Sequence, residues 1–145
     1  MITVDHHEQI TSRTASVLLS LLLALTATLG IAPGAVAATS AQAACGDTSG
    51  FRKVALSSLP AQAADTTRLI RAGGPYPYPQ DNQTFHNREG VLPSCSTGYY
   101  REYTVKTPGS ATRGARRIVT GNGSPKLYFY TADHYATFVL VDIGR

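Results

Sequence analysis

Between Tyr99 and Asp142 the chain carries four runs rich in β-branched and aromatic residues: YYREYTV (Tyr99 to Val105), ARRIVT (Ala115 to Thr120), LYFYT (Leu127 to Thr131) and YATFVLVD (Tyr135 to Asp142). Such residues fit a pleated, half-buried surface. The links TPGSATRG and GNGSP, and the corner Ala132-Asp133-His134, have turn chemistry. Strands joined by short links return beside the strand they left, so an antiparallel meander is expected. Upstream, SSLPAQAADTTRLIRAGGP reads as one helix, with Ser57 or Ser58 as its cap, Pro60 in its first turn and Gly73-Gly74-Pro75 as its stop. Ala63, Thr67 and Ile70 recur at helical spacing, so that helix covers one face of the sheet. PYPYPQDNQ follows as an ordered loop. The predicted class is α+β, one N-terminal helix packed on a twisted antiparallel sheet.

Residues 1–43 have a different character. Arg13 precedes the apolar run Val17 to Ala32, and small-residue sites follow at Ala35 to Ala37 and Ala41 to Ala43. This is the layout of a secretory signal peptide, cleaved after Ala37 or Ala43. A membrane anchor is the alternative, but Pro33 and Gly34 interrupt the run before the roughly 20 residues that a span requires. Residues 44–145 then form one small secreted domain with no stable membrane association. Cys45 and Cys95 are the only cysteines, and an oxidising destination favours a bond between them over two free thiols. In the loop-entropy model such a bond adds about 4 kcal/mol. The formal net charge of +4 grows when the first 43 residues leave, since they hold Asp5 and Glu8 against Arg13 alone. A small basic secreted domain suits polyanions. Four scattered histidines offer no metal spacing, so no metal or other cofactor is expected.

The charged residues of the strand region set the chemistry. Glu102 lies in the first run, and Arg113 and Arg117 share parity, so in one extended segment they point to a common face and Arg116 to the other. His134 stands at the corner leading into the last strand, where its ring overhangs that face. Cross-strand Glu–Arg pairs are common and contribute about 0.2–1 kcal/mol. Here, however, the arginines outnumber the carboxylate, and a titratable imidazole sits at the sheet edge. RNA cleavage without metal needs a base for the ribose 2′-OH, an acid for the departing 5′-oxygen and cations for the charged phosphorane. Glu, His and paired Arg supply these parts, and the planar fork of Arg matches phosphoryl oxygens.

From about Leu56 to Asp142 the chain resembles the small secreted guanyl-specific ribonucleases of actinobacteria, the bacterial branch of the microbial ribonuclease family. The resemblance is carried by LSSLPAQAADTTRLI, GPYPYPQD, FHNREGVLP, YYREYTVKTPG, TRGARRIVTG and DHYATF, in order. It implies the microbial ribonuclease fold and an endoribonuclease that cuts single-stranded RNA 3′ to guanosine through a 2′,3′-cyclic phosphate. It also implies Glu102 as general base, His134 as general acid, and Arg113 and Arg117 on the phosphate. Within FHNRE it implies Glu89 as acceptor for guanine N1–H and the amine, and backbone amides around Asn87 and Arg88 as donors to O6. Phe85 then walls the base, Tyr135 borders base and phosphate, and His86 replaces the family's usual Gln. Ala55 and the ending VDIGR lack the cysteines of the family's usual disulfide. The implied enzyme is a monomer, and a protein inhibitor of the barstar type is a possible partner. The rival readings are an RNA-binding module without turnover and a ribonuclease toxin used against competing cells.

Overall fold

The computed structural model describes residues 41–145, so the leader expected over residues 1–43 lies almost wholly outside the described residues. Six strands form one sheet: β1 (Lys53–Ala55), β2 (Gln83–Thr84), β3 (Tyr100–Thr104), β4 (Arg117–Gly121), β5 (Leu127–Thr131) and β6 (Val139–Asp142). Their order across the sheet is β1-β6-β5-β4-β3-β2. The expected meander runs from β3 to β6, with β2 antiparallel on its outer edge. The sheet is not wholly antiparallel, because β1 lies parallel to β6, Val54 against Val141. A three-residue strand shows no readable alternation, and its pairing with the far end of the chain is set by tertiary contact.

Helix α1 (Ala61–Ala72) has no side-chain cap. Contrary to the expected Ser cap, Ser58 donates its hydroxyl back to Ala55 O (2.7 Å) within a 3-10 turn at Leu56–Ser58. Pro60 itself takes the N-cap position with extended backbone. The stop is as expected: Gly73 adopts a left-handed φ of 77°, and Gly73 and Gly74 donate to Ile70 O and Leu69 O. Ala63, Thr67 and Ile70 are buried and face the sheet.

The two faces of the sheet carry separate cores. Tyr103, Val105, Ile118, Tyr128, Tyr130 and Val141 pack against α1. On the other side Tyr100, Val119, Phe129, Phe138 and Leu92 form a second cluster, closed by Phe51, Phe85 and Tyr135 rather than by a helix. Burial pushes the phenols of Tyr100 and Tyr103 up to about 12. Both remain hydroxyl donors, to Pro93 O and Asn82 Oδ1, each at 2.9 Å. A disulfide joins Cys45 to Cys95 and pins the N-terminal arm beside the segment leading into β3. No helix among the described residues is long and apolar enough to cross a membrane.

Candidate active site

The site occupies the face that no helix covers among the described residues. Tyr100, Glu102 and Thr104 alternate onto that face of β3. Thr104 stands opposite Arg117 of β4, and Arg117 stands opposite Thr131 of β5. These three residues are buried and form one row across three adjacent strands, a span of about 10 Å. Each member of the row fixes one part of the site.

Thr104 holds Arg113. Its hydroxyl accepts from Arg113 Nε (3.0 Å) and Nη2 (2.7 Å), its amide donates to Asp81 Oδ1 (2.7 Å), and its carbonyl accepts from Thr66 of α1 (3.0 Å). Arg113 does not share an extended segment with Arg117 of β4, the condition on which their common parity would have set them on one face. It lies in the preceding loop and reaches the face by this side-chain bond, with its guanidinium over the Tyr78 ring at 6.0 Å. Arg116 does point away, toward Tyr130 on the helix side.

Arg117, the middle of the row, is almost wholly buried. Its Nη1 donates to Gly114 O (2.9 Å) and Arg116 O (2.7 Å), and its Nε donates to the Tyr135 hydroxyl (3.2 Å). The loop turns tightly enough to offer those carbonyls because Gly114 adopts a φ of 65°, where a Cβ would lie 2.5 Å from Thr107 Oγ1.

Thr131 holds the corner that carries His134 and Tyr135. Its hydroxyl donates to Asp133 Oδ1 (2.8 Å) and accepts from the amides of Asp133 and Tyr135. Asp133 also accepts from the amide and hydroxyl of Thr137. These bonds, the Thr137 hydroxyl foremost, pull the Asp133 carboxyl down to about 2. Within this frame His134 and Tyr135 take left-handed φ values of 57° and 74°. The last strand therefore begins at Val139, four residues later than the expected Tyr135, because the intervening residues form this frame.

The three parts converge on Glu102. Its Oε2 lies 3.9 Å from Arg113 Nη2 and 3.8 Å from Arg117 Nε, and it accepts the hydroxyl of Tyr135. Burial first, and then the Glu102 carboxylate, push the Tyr135 phenol up to about 12, so it stays a neutral donor. The exposed His134 ring sits 4.8 Å from the Tyr135 ring, tilted by 52°. The guanidinium groups do not outnumber the carboxylates as expected. Asp81, buried and 4.0 Å from Arg113, supplies a second anion. Asp81 in its loop gives no local sign of this role. Thr104 does, since it repeats the parity of Glu102.

Beside this charged group lies the segment from Phe85 to Leu92. Phe85 stacks on Tyr135 at 4.9 Å and 28°. Asn87 has a left-handed φ of 50° and spends its side chain on the loop itself: Nδ2 donates to Leu92 O (2.7 Å) and Pro93 O (3.4 Å), and Oδ1 accepts from the Leu92 amide (3.0 Å). Gly90 N donates to Asn87 O (2.9 Å), closing the turn. Among the described residues the amides of Asn87, Arg88 and Glu89 donate to no protein acceptor. Phe85, His86, Asn87 and Arg88 line a cavity of about 190 Å³. Glu89 lines instead the adjoining groove of about 680 Å³, with Phe51, Val91 and Phe138. No group of three or more His, Cys, Asp or Glu side chains among the described residues has metal-binding geometry.

These features define a small α+β protein that gathers two carboxylates, two guanidinium groups and a phenol on the open face of its sheet, with an imidazole beside them and, at the edge, a loop whose amides meet no acceptor among the described residues. A family profile described as ribonuclease matches residues 42–142. Guanyl-specific ribonuclease St of Saccharopolyspora erythraea is 61% identical over 103 residues, covering 71% of this chain and 100% of that protein. Guanyl-specific ribonuclease Sa of Kitasatospora aureofaciens is 60% identical over 89 residues, covering 61% of this chain and 92% of that protein. Among solved structures, ribonuclease Sa2 in complexes with mononucleotides superposes with a TM-score of 0.62 at 47% identity, covering 66% of this chain and 97% of that chain. Ribonuclease Sa2 with guanosine-2′-cyclophosphate gives 0.60 at 48% identity, covering 64% and 98%. The chain belongs to the microbial guanyl-specific ribonuclease family.

Proposed function

We infer that this protein is an endoribonuclease that cleaves single-stranded RNA 3′ to guanosine by transesterification. The observation that carries the reading is the placement of Glu102 against both guanidinium groups and the Tyr135 hydroxyl, with His134 next along the same corner. Glu102 takes the proton of the 2′-OH, and that oxygen attacks phosphorus in line. His134 protonates the departing 5′-oxygen, leaving a 2′,3′-cyclic phosphate. Hydrolysis of the cyclic ester uses the two groups in reversed roles and ends in a 3′-phosphate. Arg113 and Arg117 donate to the phosphoryl oxygens as charge builds on them, and Tyr135 steers Glu102. No step requires a metal ion.

Guanine fits the loop beside the site. Free amides at 87–89 are donors for O6, and Glu89 is the acceptor for N1–H and the exocyclic amine. Adenine offers an acceptor where guanine has N1–H, so an ionised Glu89 repels it. A bidentate base contact discriminates by about 1–3 kcal/mol, and unpaired RNA exposes the edge that is read. In this reading Glu89 turns from the outer groove toward the base on binding, while the amides are already in place. The leader-like residues 1–43 support export of the enzyme, and a barstar-type inhibitor would cover the cleft with an acidic surface.

The test is a defined RNA incubated with the protein in EDTA, alongside Glu102→Ala and His134→Ala. Fragments ending at G, lost in both variants, are expected. Uncut RNA that still binds the unaltered protein would leave a binding module in place of an enzyme.

A further inference from the structure

The N-terminal arm touches the base-recognition loop. Gln42 Nε2 donates to Gly90 O (3.4 Å) and to Leu92 O (3.3 Å), the same Leu92 carbonyl that accepts from Asn87. The close approach depends on Gly90, whose φ is 64° and where an added Cβ would lie 3.2 Å from Gln42 Nε2. Gln42 lines both the cavity containing Phe85 to Arg88 and the groove containing Glu89, so it spans the loop from one side to the other. Cys45, three residues further on, is bonded to Cys95 just past the loop, which keeps the arm beside its target. The family profile likewise begins at Gln42.

We propose that Gln42 is a positioning residue for guanine recognition, and that the place of N-terminal processing decides whether the mature enzyme keeps it. Asn87 ties the loop from within, and Gln42 ties the same carbonyl from outside. Together they hold the amides of Asn87, Arg88 and Glu89 at a fixed setting. Cleavage after Ala37 retains the outer tie, and cleavage after Ala43 removes it while leaving every strand, the helix and the disulfide. The role rests on the guanine reading of the loop, but the tie itself does not. Both bonds are long and partly open to water, so their expected effect is about threefold to tenfold rather than a loss of activity.

The experiment compares the unaltered chain with Gln42→Ala and Gln42→Glu, and chains starting at Ala38 and at Ala44. Three quantities are read: amide exchange at residues 88–92, affinity for guanosine 3′-monophosphate, and kcat and KM on guanosine- and adenosine-containing dinucleotides. Gln42→Ala and the Ala44 chain should exchange faster in the loop, bind the nucleotide about threefold to tenfold more weakly, and show the change in KM with kcat unaltered. Gln42→Glu keeps the size but sets an acceptor against two carbonyls, so it should be impaired at least as much. Loop exchange and nucleotide affinity that stay the same in Gln42→Ala and the Ala44 chain would overturn the proposal. So would a Gln42→Glu chain that behaves as the unaltered one. If no form cuts RNA, the proposed function fails, and loop exchange still decides whether Gln42 holds the loop.

Discussion

The two halves of the cleft are built on different principles. In the half proposed to hold the phosphate, Glu102, Arg113, Arg117 and Tyr135 offer charged or polar side chains, braced by the buried row of Thr104, Arg117 and Thr131. In the half proposed to read the base, the side chain of Asn87 is consumed in holding the loop, and the backbone amides are left as donors. Charges kept close together need a rigid lattice, because an unpaired buried charge is costly. Base discrimination needs donors at a fixed spacing, which a tied loop supplies whatever the neighbouring side chains are. A change in one half should leave the function of the other largely intact.

The sharpest way to break that separation is Glu102→Gln. Loss of general-base action should lower kcat about 10²- to 10⁴-fold while the residual cleavage keeps its preference for G, as measured on paired dinucleotides. A preference that vanishes with the rate would mean that the halves are one unit. Next in size is Arg117→Ala, which strips Glu102 of a close cation and takes from the Gly114 carbonyl its donor, while the Arg116 carbonyl keeps the Val105 amide. Urea unfolding should show a loss of about 3–5 kcal/mol, against about 1–2 kcal/mol for the more exposed Arg113→Ala. Equal losses would place the anchor of the phosphate half outside the row.

Asn87→Ala probes the base half alone. It removes the bonds to Leu92 and Pro93 and should loosen the loop by about 2 kcal/mol in local exchange. The preference for G should fall while kcat on the best substrate changes little. The smallest effect concerns pH. The Asp133 carboxyl lies near 2 when folded, below its ordinary 3.8, so it contributes stability above that ordinary value and loses it as pH falls through about 2. Amide exchange at Tyr135 and Thr137 should rise across that window, and Asp133→Asn should abolish the pH dependence. Asp133 is exposed, so global unfolding should register little of this.

Much of this was legible in the chain. LYFYT coincides with β5, and Gly73 ends the helix where expected. The alternation that puts Glu102 on one face of β3 also puts Thr104 there, a signal present but easy to pass over beside the charges. The shared parity of Arg113 and Arg117 puts them on one face only if the two lie in one extended segment; Arg113 instead reaches that face from the loop before β4. Asp81, Gln42 and the Thr131–Asp133–Thr137 frame carry no local pattern, since each depends on a partner distant in sequence or on a turn that exists only in the folded chain.

What the sequence determined by itself is whatever repeats along a strand or helix: the number and faces of the long strands, the covering helix, and the residue types suited to acid, base and phosphate. Alternation and helical spacing are local properties of the backbone, so they are written in the order of the residues alone. Only the tertiary structure decided that Thr104, Arg117 and Thr131 stand in one row and that Gln42 meets Gly90. Register between strands, and the landing point of an arm, depend on hydrogen bonds and burial between distant segments.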